Sequence, residues 1–206
     1  MHGPVGNLHL HDPKRRSVIR FARAAFIAQG YAGAKIEPIA REAGVSTATL
    51  YALFAGKAEL FSAVIEDAAH DFARLMTGVH AIEGDVRQQL TGFAEAYAAF
   101  MSDPFVRSIF RLVMAERPRF QSVALEFFEK GQAVFGATLI DILTRHIGTG
   151  ALKCAKPSWA AGQLMGMIEH PVFFVPMVTG DEILVRRTNA EIVADAVDTF
   201  LARHRT

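Results

Sequence analysis

Residues 36–57 read IEPIAREAGVSTATLYALFAGK. Their apolar, small and glycine positions fall where two short helices joined by a tight turn need them. Ile39, Ala43, Val45, Leu50 and Leu53 supply the contacts between the helices. Ala40 sits at their closest approach, where a larger side chain would push them apart. Gly44 occupies the turn, where a positive φ costs glycine nothing and most other residues about 1 kcal/mol or more. Ser46 follows as an N-cap, its hydroxyl placed to accept a backbone N–H of the second helix. A plain αα-hairpin shares the glycine turn, but the full set of positions describes a helix-turn-helix. The use of such a unit is to lay its second helix in the DNA major groove.

The flanks agree. In RRSVIRFARAAFIAQGY (15–31), Val18, Ile19, Ala22, Ala25 and Phe26 recur at helical spacing, and Gly30 stops the run. The net charge of +1 conceals an asymmetry. Residues 1–57 hold eight lysines and arginines against three acids, whereas the remainder is acidic. A basic amino-terminal third beside an acidic body is the footprint of a protein that touches phosphate at one end.

The rest of the chain carries no strand alternation. Leu60, Phe61, Val64, Ile65, Ala68, Phe72, Leu75 and Met76 form one helical stripe. Asp85 with Gln88, and Thr188 with Glu191, are capping boxes that open further helices. Pro104, Pro118 and Pro157 each suit a first helical turn, where a missing N–H does no harm. About nine helices are expected. Length and a 51% hydrophobic content allow a sizeable core, yet no apolar run reaches the roughly 18 residues of a membrane span. The single cysteine, Cys154, excludes an intrachain disulfide or a cysteine zinc site and fits a reducing cytoplasm. Residues 1–13 lack the apolar core of a secretory signal and read as a mobile leader.

Ala22, Phe26, Gly30 and Tyr31 are followed by Ile39-Ala40, Ala43-Gly44-Val45-Ser46, Thr49-Leu50-Tyr51, Phe54, Lys57 and Leu60. Over about residues 15–65 this pattern resembles the TetR/AcrR family of bacterial transcriptional regulators. FRLVMAERPRF, a long helix, and then AAGQLMGMIEHPVFF are similar to the AefR-like carboxy-terminal domains of part of that family. The resemblance implies an all-α homodimer with a helix-turn-helix head at 14–57 and an effector-binding, dimerising domain at 58–206. It further implies double-stranded operator DNA and a small-molecule effector as partners, and repression relieved by that effector.

Groove reading needs side chains at the exposed amino-terminal end of the second helix, here Thr47, Ala48 and Tyr51. Tyr51 matches the family tyrosine that reaches phosphate or a base. Ser46, Thr49 and Lys57 are placed for backbone contacts, and Lys35 and Arg41 add cationic reach. Two departures stand out. Relatives often carry Thr or Ser near Ala34 and Lys35, and often His or Tyr where Leu53 stands, so one phosphate contact of the family is expected to be missing. In the body, Phe93, Tyr97, Arg107, Arg111, Gln163, Met167 and His170 combine apolar walls with polar groups, as an effector pocket would. Ordinary packing and salt bridges account for the same residues, and that alternative stays open.

Rival chemistries find less support. Asp67-x-x-His70, with Glu66 and Asp71, puts a carboxylate and an imidazole on one helical face, but a di-iron bundle needs the motif twice. Phosphate loops and zinc-protease signatures are absent. No cofactor, metal or catalytic centre is expected. Gly162 and Gly166 form a GxxxG groove suited to helix–helix contact in a dimer. The competing reading is a helical ligand-binding or enzymatic protein whose hairpin no longer binds DNA.

Overall fold

The computed structural model describes residues 12–75, 82–183 and 186–206. Residues 1–11 of the expected leader and Met76 of the stripe after Lys57 lie outside the described residues. Among them every regular element is helical: α1 (Pro13–Gly33), α2 (Ile36–Glu42), α3 (Thr47–Leu53), α4 (Lys57–Leu75), α5 (Val86–Ser102), α6 (Pro104–Glu116), α7 (Gln121–Gly131), α8 (Ala137–Gly148), α9 (Pro157–Glu169), α10 (Val175–Thr179) and α11 (Asn189–His204). A π turn at Gln132–Gly136 carries α7 into α8, and another at His170–Phe174 carries α9 into α10. The described residues therefore hold nine helical rods. Their one strand-like pairing is an isolated bridge between Leu152 and Arg205. No single described helix is long and apolar enough to cross a membrane.

The chain divides into two compact units, Met1–Ala69 with Ser108–Phe127, and His70–Arg107 with Phe128–Thr206. In the first unit, Asp12 caps α1 by accepting the Lys14 N–H at 2.9 Å, with Pro13 at the first helical position. Val18, Ile19, Ala22 and Phe26 are buried from α1, and Ile36, Ile39, Ala40, Leu50 and Phe54 meet them from the two following helices. Ala43, Val45 and Leu53, expected as full core contacts, are half-buried. Gly30 breaks α1 with φ 67 and ψ 174, a region only glycine visits readily. That kink turns Tyr31 into the core against Phe26 and Phe61, with ring centroids 5.9 and 5.4 Å away.

Segment 108–127 enters this unit from the middle of the chain. Phe120 stacks on Phe61 at 4.6 Å and meets Tyr31 edge-on at 4.9 Å. Here an expectation is corrected. Pro118 does not begin a helix; residues 117–119 form a turn, and α7 starts at Gln121. The Glu116 carbonyl accepts the N–H groups of both Arg119 and Phe120 at 2.9 Å, which closes α6 and leaves the proline in the turn.

In the second unit, α5 packs against α8, α9 and α11. Leu90, Phe93, Ala94, Tyr97 and Ala98 from α5 are fully enclosed, together with Leu139 and Leu143 of α8, Leu164 and Ile168 of α9, and Val197 of α11. Both expected capping boxes form, Asp85 with Gln88 and Thr188 with Glu191. The turn at His170–Phe174 contains Pro171. Proline would remove an α-helical bond and clash with the carbonyl four residues earlier, and the wider π turn accommodates it.

Candidate nucleic-acid interface

The turn between α2 and α3 is held by local bonds that its sequence demands. Gly44 has φ 72. Its N–H bonds the Arg41 carbonyl at 3.1 Å, and the Val45 N–H bonds the Ala40 carbonyl at 3.0 Å. These are the two bonds of a Schellman motif, and the left-handed residue between helix and return bond is glycine for that reason. Ser46 then caps α3, its hydroxyl accepting the Thr49 N–H at 3.0 Å. Ser17 of α1 donates to the Ala43 carbonyl at 3.2 Å and fastens the α2 end to the first helix. Leu50 is the residue of α3 that is fully buried, so the helix is pinned by one side and free on the other.

The free side carries Thr47, Ala48 and Tyr51, all exposed. Their spacing puts them on one face of α3. Tyr51 has 52% of its surface in solvent, although a phenol ring gains from burial. Ser46 is exposed but occupied as the cap, and Thr49 is half-buried with its hydroxyl 2.9 Å from that of Ser46. Lys35 and Arg41 flank α2 and are exposed. Lys35 also stands at the α2 N-cap but makes no side-chain cap bond there. Lys57 opens α4. Its ammonium donates to the Ala32 carbonyl at 3.2 Å and sits 4.8 Å from the Tyr31 ring centre, so it is aimed rather than loose. Glu59, two residues on, is engaged in accepting the Ala55 N–H at 2.7 Å.

The residues expected to form an effector pocket do not share one environment. Phe93 and Tyr97 are buried and stacked at 5.9 Å. The Tyr97 hydroxyl donates to Glu169 Oε2 at 3.0 Å. Burial first, then the Glu169 carboxylate and its hydrogen bond, push the Tyr97 hydroxyl far above the ordinary tyrosine range. Arg107 is buried and answered by Asp181 at 2.7 Å and by the Ser102 carbonyl. Met167 is half-buried, whereas Gln163 and His170 are exposed. Arg111 is half-buried and belongs to the other compact unit. Sequence reasoning missed Glu169 as the partner of Tyr97. The signal was an acid inside an otherwise apolar helix, where a buried tyrosine hydroxyl needs an acceptor.

The metal alternative at Asp67 and His70 also has an ordinary use for its acid. Asp67 forms an ion pair with Arg23, joining α4 to α1. Among the described residues no group of three or more His, Cys, Asp or Glu is placed to hold a metal ion.

A separate surface lies on α9 and α10. Trp159, Phe174 and Val178 are 66%, 53% and 70% exposed. Gly162 and Gly166 lie exposed along the same rod, and a Cβ added at either would meet nothing within 4 Å.

Comparison with known proteins agrees along the chain. Residues 18–64 match the family described as bacterial regulatory proteins, tetR family. Residues 88–206 match the AefR-like transcriptional repressor, C-terminal domain. The chain is 31% identical over 96 residues to the HTH-type transcriptional activator FasR of Mycolicibacterium smegmatis. That match covers 47% of this chain and 44% of the relative, so it spans less than half of the relative's length. A TetR-family transcriptional regulator from Mesorhizobium loti superposes with a TM-score of 0.80 at 28% identity, covering 94% of this chain and 97% of that one. A TetR-family regulator from Pseudomonas syringae pv. tomato shares the fold with a TM-score of 0.70 at 23% identity, over 95% and 98% of the two chains.

Proposed function

This chain belongs to the TetR family of bacterial regulatory proteins, DNA-binding regulators of transcription, and we propose that it acts as a homodimeric repressor released from its operator by a small molecule. The observation that carries the DNA-reading part is the exposed face of Thr47, Ala48 and Tyr51 on a helix otherwise pinned by Leu50 and the Ser46 cap. Thr47 offers a hydroxyl and a methyl to base edges, Ala48 permits close approach, and Tyr51 reaches a base or a phosphate. Lys35, Arg41, Thr49 and Lys57 supply sequence-independent contacts to the backbone. On this reading the partner is double-stranded DNA with two symmetric half-sites, the protein works in the cytoplasm, and it is not an enzyme.

Two copies are proposed to meet through the outer face of α9 and α10, with α7 and α8 beside it. Trp159, Phe174 and Val178 are a costly set to leave in water, and the glycines leave room for a second helix. The AefR-like kinship of residues 88–206 supports repression over activation. The effector is proposed to enter the second unit near Phe93 and Tyr97, where the buried Tyr97 and the half-buried Glu169 offer a polar anchor among aromatic rings. Effector and DNA must weaken each other by the same factor, because both act on one equilibrium between two states of the dimer.

The test is selection of bound duplexes from a random pool, followed by binding of the selected operator at graded salt. Thr47→Ala with Tyr51→Ala should erase the preference for the operator while leaving salt-sensitive binding to random DNA. A double variant that discriminates as well as the parent refutes the assignment of α3 as the reading helix.

A further inference from the structure

Two cations of the first unit face one aromatic ring and have no counter-ion among the described residues. Lys57 Nζ lies 4.8 Å from the Tyr31 ring centre and Arg119 Cζ lies 4.6 Å from it. The two charges are thus within about 10 Å of each other, roughly one Debye length at 0.1 M salt, so solvent screens them only partly. Neither forms an ion pair among the described residues, and Glu59 is turned to the Ala55 amide. Lys57 commits one of its three donors, to the Ala32 carbonyl. No hydrogen bond among the described residues uses the Arg119 guanidinium, and the residue is exposed.

The base of Arg119 is nevertheless fixed. Its own N–H and that of Phe120 are tied to the Glu116 carbonyl, and Phe120 is wedged between Phe61 and Tyr31. The guanidinium therefore extends from an anchored backbone, and its planar donors match the oxygens of a phosphate. A phosphate placed beside Tyr31 would relieve the repulsion between the cations and take their free donors without breaking a bond already made.

We propose that Arg119, on the turn between α6 and α7, joins Lys57 in holding one phosphate of the DNA backbone, with the Tyr31 ring as the platform that aims both. The protein would then grip DNA with a residue 62 positions beyond the end of the helix-turn-helix segment that closes at Lys57. This inference rests on the DNA-binding reading above. It adds a contact that carries affinity and salt dependence but no sequence information.

The experiment measures binding of the full chain to its selected operator and to a random duplex across a potassium chloride series. The variants are Arg119→Ala, Arg119→Gln, Arg119→Lys and Lys57→Ala, alone and with Arg119→Ala. Arg119→Ala and Arg119→Gln should weaken both duplexes by the same factor. Each should flatten the plot of log affinity against log salt by part of the roughly 0.9 that one phosphate contributes, and the double variant by about 0.9 per half-site, about 1.8 for a dimer on two half-sites. Arg119→Lys should keep the slope. The double variant should lose less than the product of the single losses, because both residues serve one phosphate. An unchanged slope in Arg119→Gln overturns the proposal, even where affinity falls, because a uniform fall at constant slope marks a packing role. A parent protein that binds no duplex from the pool instead overturns the DNA-binding reading.

Discussion

Replacing Gly162 and Gly166 with alanine gives opposite results according to whether the outer face of α9 meets water or a second copy. In the protomer both residues are exposed and an added Cβ touches nothing within 4 Å. Helix propensity alone then favours alanine over glycine by about 0.8–1.0 kcal/mol at each position. For a chain of this length that is a rise of roughly 2–4 °C in Tm per kcal/mol. If the face packs on its two-fold mate, each new methyl enters the interface twice. Overpacking a tight contact costs about 1–3 kcal/mol. Even the low end, counted twice for one substitution, comes to about 2 kcal/mol and weakens the dimer roughly 30-fold. Sedimentation from nanomolar to micromolar protein reads the dissociation constant directly. The expected result is weaker association of Gly162→Ala and Gly166→Ala while the isolated subunit gains helix stability. A raised Tm with an unaltered dissociation constant would refute the use of this face for dimerisation.

Other perturbations follow from particular contacts. Gly44→Ala should lower stability by about 1–2 kcal/mol through its left-handed backbone alone, since its Cβ meets nothing within 4 Å, and a denaturant melt of the full chain reads the loss. Ser46→Ala removes the α3 cap and should cost about 0.5–2 kcal/mol in the same melt, with weaker operator binding as the reading helix frays. Tyr97→Phe leaves Glu169 without its donor and should cost about 1–3 kcal/mol at neutral pH. The raised Tyr97 pKa means that its contribution is complete below about pH 10 and is lost as pH climbs beyond that value. Melts of the parent should therefore fall more steeply above about pH 10 than those of Tyr97→Phe, and parallel curves would count against the pair. Arg107→Ala removes the ion pair with Asp181, but Asp181 keeps 32% of its side chain in water, so the loss should stay below the about 3–5 kcal/mol of a fully buried pair.

The features legible in the sequence are those whose partners lie a few residues apart. Gly44, Ser46 and the two capping boxes were readable because each closes a bond within about five positions, and the chain can satisfy it before any distant contact forms. Helical periodicity likewise set the all-α class, and Thr47, Ala48 and Tyr51 were legible as the outward face because they lie at the amino-terminal end of the motif's second helix, although Leu53, read as buried with Leu50, is half-buried. What the tertiary structure decided involves partners far apart in sequence. Nothing local announces that Phe120 packs on Tyr31 and Phe61, bringing segment 108–127 into the same unit as the helix-turn-helix. Tyr97 and Glu169 are 72 positions apart, and each reads as one polar group on an apolar helix until the fold pairs them. Gln163 and His170 were expected in a pocket beside those residues but face outward. Periodicity marks the apolar stripe of a helix, but it leaves open which neighbour covers each edge of that stripe. That choice depends on how the helices cross, and crossing is settled by side-chain packing over the whole unit rather than by any one segment.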